Sequence, residues 1–187
     1  MHRWVWNLHY TTPETLGHGY PIAAVPHDTP LYPLGPRALP GVYTVKLTAN
    51  GHTYSETLTV KEDPRVHVTP LALAAQFAME RRLASAMDSS YDALQQVKKF
   101  REDLKQRGGD EALDKQAAAF EGGGPGGFGG RGRGGDSFAG VNSGCAQLYA
   151  QIDGADAAPT AAQEAAARAL EAKLASTLAK WKKMQVK

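Results

Sequence analysis

Histidine, cysteine and acidic side chains are the residues of this chain that could carry chemistry, and their spacing matches no catalytic pattern. A helical zinc site needs His-Glu-x-x-His and a zinc finger needs paired cysteines, but the histidines form no such motif and Cys145 is the one cysteine. Neither a Gly-x-Ser-x-Gly elbow nor a phosphate-binding Gly-Lys-Ser/Thr loop occurs. The sequence therefore predicts no catalytic residues, no metal and no cofactor. The histidines are His2, His9, His18, His27, His52 and His67.

One loop contains histidines that could form a metal site. His18 and the His27–Asp28 pair lie in the same proline-rich segment and could meet in space. Loop histidines outside a ligand motif are ordinarily solvated, so this is the one feature on which an enzyme would depend. Glycoside hydrolysis needs a pair of carboxylates. The candidate acidic residues lie in loops or a hairpin, and their positions do not distinguish any two of them as such a pair. These candidates are Glu14, Asp28, Glu56, Glu62 and Asp63.

Cys145 is predicted to belong to a hydrophobic core. It lies on a seam whose apolar residues recur at steps of three and four, as in packed helices. A cysteine nucleophile needs an activating base, and the helical part of the chain contains no histidine. The expected role is that of a small buried hydrophobe. The seam consists of Phe138, Val141, Cys145, Leu148 and Ile152.

A glycine-rich segment, residues 122–135, has two interpretations. Phe128, Arg131 and Arg133 among glycines resemble the Arg/Gly segments that bind RNA by charge and stacking. Two arginines neutralise few phosphates, so such binding would be weak and sensitive to salt. The simpler interpretation is a flexible linker that lets two helices fold back on each other.

Composition bounds the class of protein. The chain has 187 residues, 42% hydrophobic content and a net charge of +2, so it can build a core but carries too little charge to favour nucleic acid or an acidic membrane. No apolar run approaches the roughly 20 residues that span a bilayer. Met1 to Tyr10 lacks the features of a signal peptide, so no export signal is expected.

Residues 1–66 are predicted to be β-type. Arg3 to Tyr10 alternates in the manner of a half-buried strand, with Trp4, Trp6 and Tyr10 on one face. This aromatic face is a candidate interaction face, and also a candidate platform for stacking on sugars. Seven prolines then make Thr11 to Pro40 a long irregular loop.

Val42–Ala49 and His52–Val60 form the clearest local signal, a hairpin around Asn50-Gly51. This dipeptide suits a type I′ turn, which places Leu47 opposite Tyr54 and Tyr43 opposite Leu58. Val45 then faces Glu56, which a bulge or an edge position would accommodate. Because an immunoglobulin-like sandwich needs about seven strands, these strands amount to part of one.

The rest of the chain is predicted to be helical. Residues 67–121 contain one long amphipathic helix, from Thr69-Pro70 to about Arg107, and a short helix over Asp110 to Phe120. Residues 136–187 contain two helices, the second beginning at a Thr160–Gln163 capping box. The predicted fold class is α+β, a partial immunoglobulin-like β-sandwich followed by an antiparallel helical bundle. The bundle would have three helices, or a helical hairpin with an extra short helix.

Several stretches of the chain resemble the C-terminal region of bacterial sortilin-like β-propeller proteins with BNR repeats, which are often labelled glycosyl hydrolases. They are Arg3-Trp-Val-Trp-Asn-Leu-His-Tyr10, Pro40-Gly-Val-Tyr-Thr-Val-Lys-Leu-Thr-Ala-Asn-Gly51, Leu58-Thr-Val-Lys-Glu-Asp-Pro-Arg65 and Asp153-Gly-Ala-Asp-Ala-Ala-Pro-Thr-Ala-Ala-Gln163. In that family such strands belong to an immunoglobulin-like domain similar to those of flagellar-hook capping proteins.

Two departures limit what this resemblance implies. No aspartate-box repeat occurs, and the family has sandwich strands before the one that resembles Arg3–Tyr10. The resemblance therefore transfers no catalytic residue, and it implies an extracytoplasmic location only for a full-length parent. The predicted function is a non-catalytic accessory region that packs on a β-propeller or mediates assembly as a homo-oligomer. The alternatives are a carbohydrate-binding module, through the aromatic strand or the loop around Tyr20 and Tyr32, and weak RNA binding.

Overall fold

The computed structural model describes residues 3–17, 32–122 and 136–185, and within them the fold is α+β, as the sequence predicts. A two-stranded antiparallel sheet precedes four helices. The elements are β1 (Gly41–Ala49), β2 (His52–Val60), α1 (Pro70–Gln106), α2 (Glu111–Glu121), α3 (Phe138–Asp153) and α4 (Ala161–Gln185).

The hairpin has the register that its turn predicts. Leu47 pairs with Tyr54, Tyr43 with Leu58 and Val45 with Glu56, in an unbroken ladder without a bulge. Asn50 and Gly51 adopt φ values of 52° and 79°, the left-handed conformation that a type I′ turn requires at both central positions.

The predicted strand over Arg3–Tyr10 is wrong; only His9 forms an isolated antiparallel bridge, with Arg37. The Asn7 side chain accepts a hydrogen bond from the His9 N–H at 3.1 Å, and Leu8 has a φ of 63°. An Asx turn of this kind competes with strand pairing, and it bends the chain where the alternating pattern predicts extension. Trp4, Trp6 and Tyr10 therefore do not share one face of a strand.

The predicted helix starts are confirmed by their caps. The Thr69 hydroxyl accepts from the Ala72 N–H at 3.2 Å, and Pro70 opens α1, where its missing N–H has no cost. Before α4, the Thr160 N–H donates to Gln163 Oε1 at 2.8 Å, and the Gln163 N–H donates to Thr160 Oγ1 at 3.2 Å. This reciprocal pair is the predicted capping box.

One hydrophobic core lies among the four helices. Its largest fully buried side chains are Trp181, Tyr149 and Phe138, and Phe100 meets the Trp181 ring edge-on at 5.4 Å between centroids. Every residue of the predicted α3 seam is buried. The short helix α2 is held on α1 by Arg101, whose guanidinium lies 2.6 Å from Asp114 and 2.9 Å from Glu121.

Candidate interaction surface

Residues 8–10 lie against residues 36–38, so the N-terminal segment crosses the base of the hairpin. The Tyr10 N–H donates to the Pro36 carbonyl at 2.9 Å, and the Ala38 N–H donates to the Leu8 carbonyl at 2.7 Å. His9 Nδ1 lies 2.7 Å from the Gly35 carbonyl oxygen. These backbone contacts determine the positions of the neighbouring aromatic rings of Trp6 and Tyr10.

Gly35 allows this close approach, and alanine at this position is expected to disrupt it. A Cβ atom there would collide with the carbonyl oxygens of Tyr10 and Thr11. Because those atoms belong to the backbone, relief requires the two segments to separate, and we expect Gly35→Ala to lower the free energy of unfolding by about 1–3 kcal/mol. Thermal unfolding followed by circular dichroism would measure the loss. Gly17→Ala is the matched control, because a Cβ atom added at Gly17 would have no other atom within 4 Å. Equal stability of the two variants would contradict the prediction.

The three aromatic residues of the predicted interaction face go to different places. Trp4 is 76% exposed. Trp6 packs edge-on against Tyr43 of β1 at 5.4 Å, and its indole N–H donates to the His9 carbonyl at 3.0 Å. Tyr10 packs against Phe77 of α1 at 5.4 Å. Two of the three rings thus fasten the N-terminal segment to the hairpin and to α1. Tyr10 is still 48% exposed in this position, and Trp4 is open to solvent.

Tyr43 is where the hairpin meets the rest of the molecule. Its hydroxyl donates to the Leu39 carbonyl at 2.6 Å. Burial is the main cause that raises the pKa of Tyr43 above its ordinary value, and the neighbouring Tyr10 hydroxyl acts in the same direction. The base of the hairpin is therefore covered, whereas the strands continue beyond it toward the Asn50-Gly51 turn.

The hairpin carries an apolar face that is exposed over most of its length. Cross-strand partners share a face, so Leu47 and Tyr54 lie side by side, as do Tyr43 and Leu58. Leu47 is 62% exposed and Tyr54 is 59% exposed, values far above those of a packed sheet face. Apolar side chains that are exposed side by side in this way are typical of a surface that binds another molecule. The face comprises Tyr43, Val45, Leu47, Tyr54, Leu58 and Val60, and we call it the hairpin face.

Glu56 is the charged residue in the middle of the hairpin face. It lies opposite Val45 and is exposed. Among the residues that the structure describes, none forms an ion pair or hydrogen bond with its carboxylate. The reverse face of the hairpin is mostly hydroxylic, and there the Thr48 and Thr53 hydroxyls lie 3.0 Å apart.

Cys145 lies in the core as predicted and is fully buried. Burial, together with the charge of Glu171, raises the pKa of its thiol to about 12. A thiol held in its protonated form is a poor nucleophile and a poor metal ligand. In the described part of the chain, no three His, Cys, Asp or Glu side chains are grouped to hold a metal ion.

Two buried polar side chains lie where the helices pack together, Asn142 on α3 and Glu80 on α1, and the sequence analysis missed both. Asn142 is 1% exposed and contacts residues of the 13–17 segment and of α1. Glu80 is 2% exposed and accepts a hydrogen bond from Gln76 Nε2 at 2.9 Å. A signal exists for Glu80, because polar residues occupy positions of the buried α1 seam, which steps by four and three; Asn142 lies on α3 instead. That seam is Gln76, Glu80, Leu83, Met87, Ser90, Leu94 and Val97.

Several sequence predictions lie outside the described residues. They include the proposed RNA contacts and the loop histidines that could have met. These predictions concern Phe128, Arg131, Arg133, His18, His27, Asp28 and Tyr20.

None of the helices in the described part is long and apolar enough to span a bilayer.

Comparison with protein-family models, curated proteins and solved structures finds no match to this chain. The interpretation of its function therefore depends on its own geometry. Within the described residues, the hairpin face combines exposure, apolar character and a regular backbone. These three properties are typical of a surface that pairs with another polypeptide.

Proposed function

We propose that this chain is a non-catalytic accessory region that binds a β-rich partner through the hairpin face. In this proposal the hairpin is part of an immunoglobulin-like sandwich, and the helices form an antiparallel bundle that supports it. The resemblance to sortilin-like β-propeller proteins suggests that the partner belongs to such a protein. The observation that carries the proposal is the exposure of Leu47 and Tyr54 on an otherwise regular, amphipathic hairpin.

The physical argument is that a two-stranded sheet cannot bury its own apolar face. An isolated hairpin is marginally stable and normally needs further strands or a helix against one face. Here Trp6 covers the base, at Tyr43, and leaves the outer half of the face open. Packing this half against a second sheet would remove apolar surface from water and supply the layer that a sandwich requires.

Removing apolar side chains from the hairpin face is expected to abolish self-association and binding of a hydrophobic dye. The double variant Leu47→Thr, Tyr54→Thr keeps β-propensity while making the face polar. Val42→Thr is the matched control, because Val42 is 73% exposed but lies on the reverse face. Light scattering after size-exclusion chromatography, with dye fluorescence, would compare the three proteins. A wild-type chain that is monomeric and binds no dye would refute the proposal, as would equal dye binding by all three proteins.

A carbohydrate-binding platform has less support from the geometry. Sugar stacking uses rings that lie flat and open, but Trp6 and Tyr10 are occupied by Tyr43 and Phe77. Trp4 keeps an open ring and Tyr10 is 48% exposed beside Phe77, so the predicted set does not form one flat platform. We therefore favour a polypeptide partner over a sugar.

A further inference from the structure

The two outer edges of the hairpin are not equivalent. In an antiparallel ladder closed by a two-residue turn, residues alternate between pairs that bond each other and pairs whose N–H and C=O groups point outward. Counting from the Ala49–His52 pair that closes the turn, the Thr44–Thr57 pair is of the outward kind. The outward set on β1 is Val42, Thr44, Lys46 and Thr48, and the outward set on β2 is Thr53, Ser55, Thr57 and Thr59.

Charge distinguishes the two edges. Lysine on an edge strand is a common device that discourages pairing with another strand, and β1 has Lys46 among its outward residues. The outward residues of β2 are all threonine or serine, and threonine favours extended backbone. The edge of β2 is therefore the better template for an added strand.

Glu56 then limits what the added strand can be. A strand that pairs along β2 places one of its side chains directly opposite Glu56 on the hairpin face, at about 5 Å. An apolar residue there would leave the carboxylate next to a closed apolar layer, whereas a lysine or arginine would pair with it. Opposite charges across a strand pair stabilise it, and like charges destabilise it.

A second copy of the chain does not supply this basic residue. β2 contains no lysine or arginine, so no antiparallel register of β2 with itself places one opposite Glu56. β1 of a second copy has Lys46, but its outward residues carry their side chains on the reverse face. A symmetric β2–β2 pair centred on Glu56 would bring two carboxylates together.

We propose that the outer edge of β2 accepts an extended strand from another polypeptide, apolar on the side of the hairpin face and with a lysine or arginine opposite Glu56. This inference rests on the proposed function and adds the β2 edge, which borders the hairpin face, to the surface that the partner contacts. Main-chain hydrogen bonds along the edge would supply affinity, and the residue opposite Glu56 would supply specificity.

Two synthetic peptides test the charge requirement on the full chain. One has the β2 sequence His52–Val60 with lysine in place of the central glutamate, and the other has the unchanged sequence. Each would be titrated into the isotopically labelled chain while amide resonances and amide hydrogen exchange are recorded. We expect the lysine peptide to bind at least about fivefold more tightly and to protect the amides of Thr53, Ser55, Thr57 and Thr59. The variant Glu56→Lys should reverse the preference between the peptides.

Two proline variants test which edge is used. Thr57→Pro removes an outward N–H from β2 without a loss from the β1–β2 ladder, and Thr44→Pro does the same on β1. We expect Thr57→Pro to abolish binding of the lysine peptide and Thr44→Pro to preserve it. Equal affinity for the two peptides, protection of β1 amides or binding that survives Thr57→Pro would overturn the edge inference. Loss of dye binding on Leu47→Thr, Tyr54→Thr would still support the proposed function, so the two failures can be told apart.

Discussion

Replacing Asn142 by alanine is expected to lower the free energy of unfolding by about 2–4 kcal/mol, because one buried amide bonds polar groups from two other parts of the chain, residues 13–17 and α1. Its Oδ1 accepts from the Leu16 N–H at 2.9 Å. Its Nδ2 lies 3.0 Å from the Met87 carbonyl oxygen, 3.1 Å from that of Glu14 and 3.2 Å from the Ser90 hydroxyl. Alanine would remove the partner of the Leu16 N–H and of the Glu14 carbonyl, and it would leave a small void beside the buried Ser90.

The loss should have a local signature as well as a global one. Residues 13–17 touch the helices through Asn142 and through Asp88, whose carboxylate accepts from the Glu14 N–H at 2.7 Å. We therefore expect the Leu16 amide to exchange faster in Asn142→Ala, together with a fall in Tm of roughly 5–15 °C. Thermal unfolding and amide hydrogen exchange would measure the two effects.

Ser143→Ala is the matched control because it changes the neighbouring residue on the exposed side of α3. It should leave both Tm and the Leu16 exchange rate close to those of the wild type. If Asn142→Ala unfolds at the same temperature as this control, the amide does not hold the N-terminal segment on the helices.

Local signals in the sequence were sufficient where the chain decides its own conformation. Asn50-Gly51 determines the turn and with it the register of the whole hairpin. Thr69-Pro70 and the Thr160–Gln163 box determine where α1 and α4 begin. Each of these features is settled by residues within four positions of one another, so no tertiary information is needed.

Alternation failed at the N-terminal segment because a local turn competed with it. The pattern from Arg3 to Tyr10 fits a strand, but Asn7 offers its own backbone an Asx turn and Leu8 leaves the extended region. Trp6 and Tyr10 were assigned to one interaction face on the strength of that pattern. In the structure they contact Tyr43 and Phe77 instead.

The periodic pattern of apolar residues does not predict which residues are buried. The same apolar alternation occurs in a packed strand and in an exposed one, so the open hairpin face around Leu47 was not evident from the sequence. The converse error concerns Glu80 and Asn142, which look like solvent-facing polar residues on amphipathic helices. The packing of α1 against α3 buries both.

Glu80 gives the second large expected effect, a stability contribution that decreases as the pH rises. Its carboxyl group is 2% exposed in the α1 seam. Burial is the main cause that raises its pKa above the ordinary value of 4.5, with Asp153 acting in the same direction, while Gln76 and Arg37 oppose the shift. The folded protein therefore holds the Glu80 proton more tightly than the unfolded chain does.

The sign follows from this tighter binding. Below the ordinary value near 4.5, Glu80 is protonated in both states and its buried form has no charge to desolvate. As the pH rises, the unfolded chain ionises first, and the contribution of Glu80 to stability is lost until the pH passes its pKa in the folded state. Asp114 and Asp136 act in the opposite sense, because Arg101 and Lys180 respectively hold the pKa of each carboxyl below its ordinary value.

Glu80→Gln separates the buried acid from these opposing groups. Glutamine keeps the shape and one acceptor oxygen for Gln76 but cannot ionise, so we expect it to raise the free energy of unfolding at pH 7 by about 1 kcal/mol or more. Urea unfolding of both proteins from pH 4 to pH 8 should show a difference that grows with pH and vanishes at the acid end. Glu102→Gln, exposed on the same helix, should track the wild type throughout. A Glu80→Gln difference that is constant over this range would mean that folding does not shift the pKa of Glu80, and the buried carboxyl would then act only as a hydrogen-bond acceptor for Gln76.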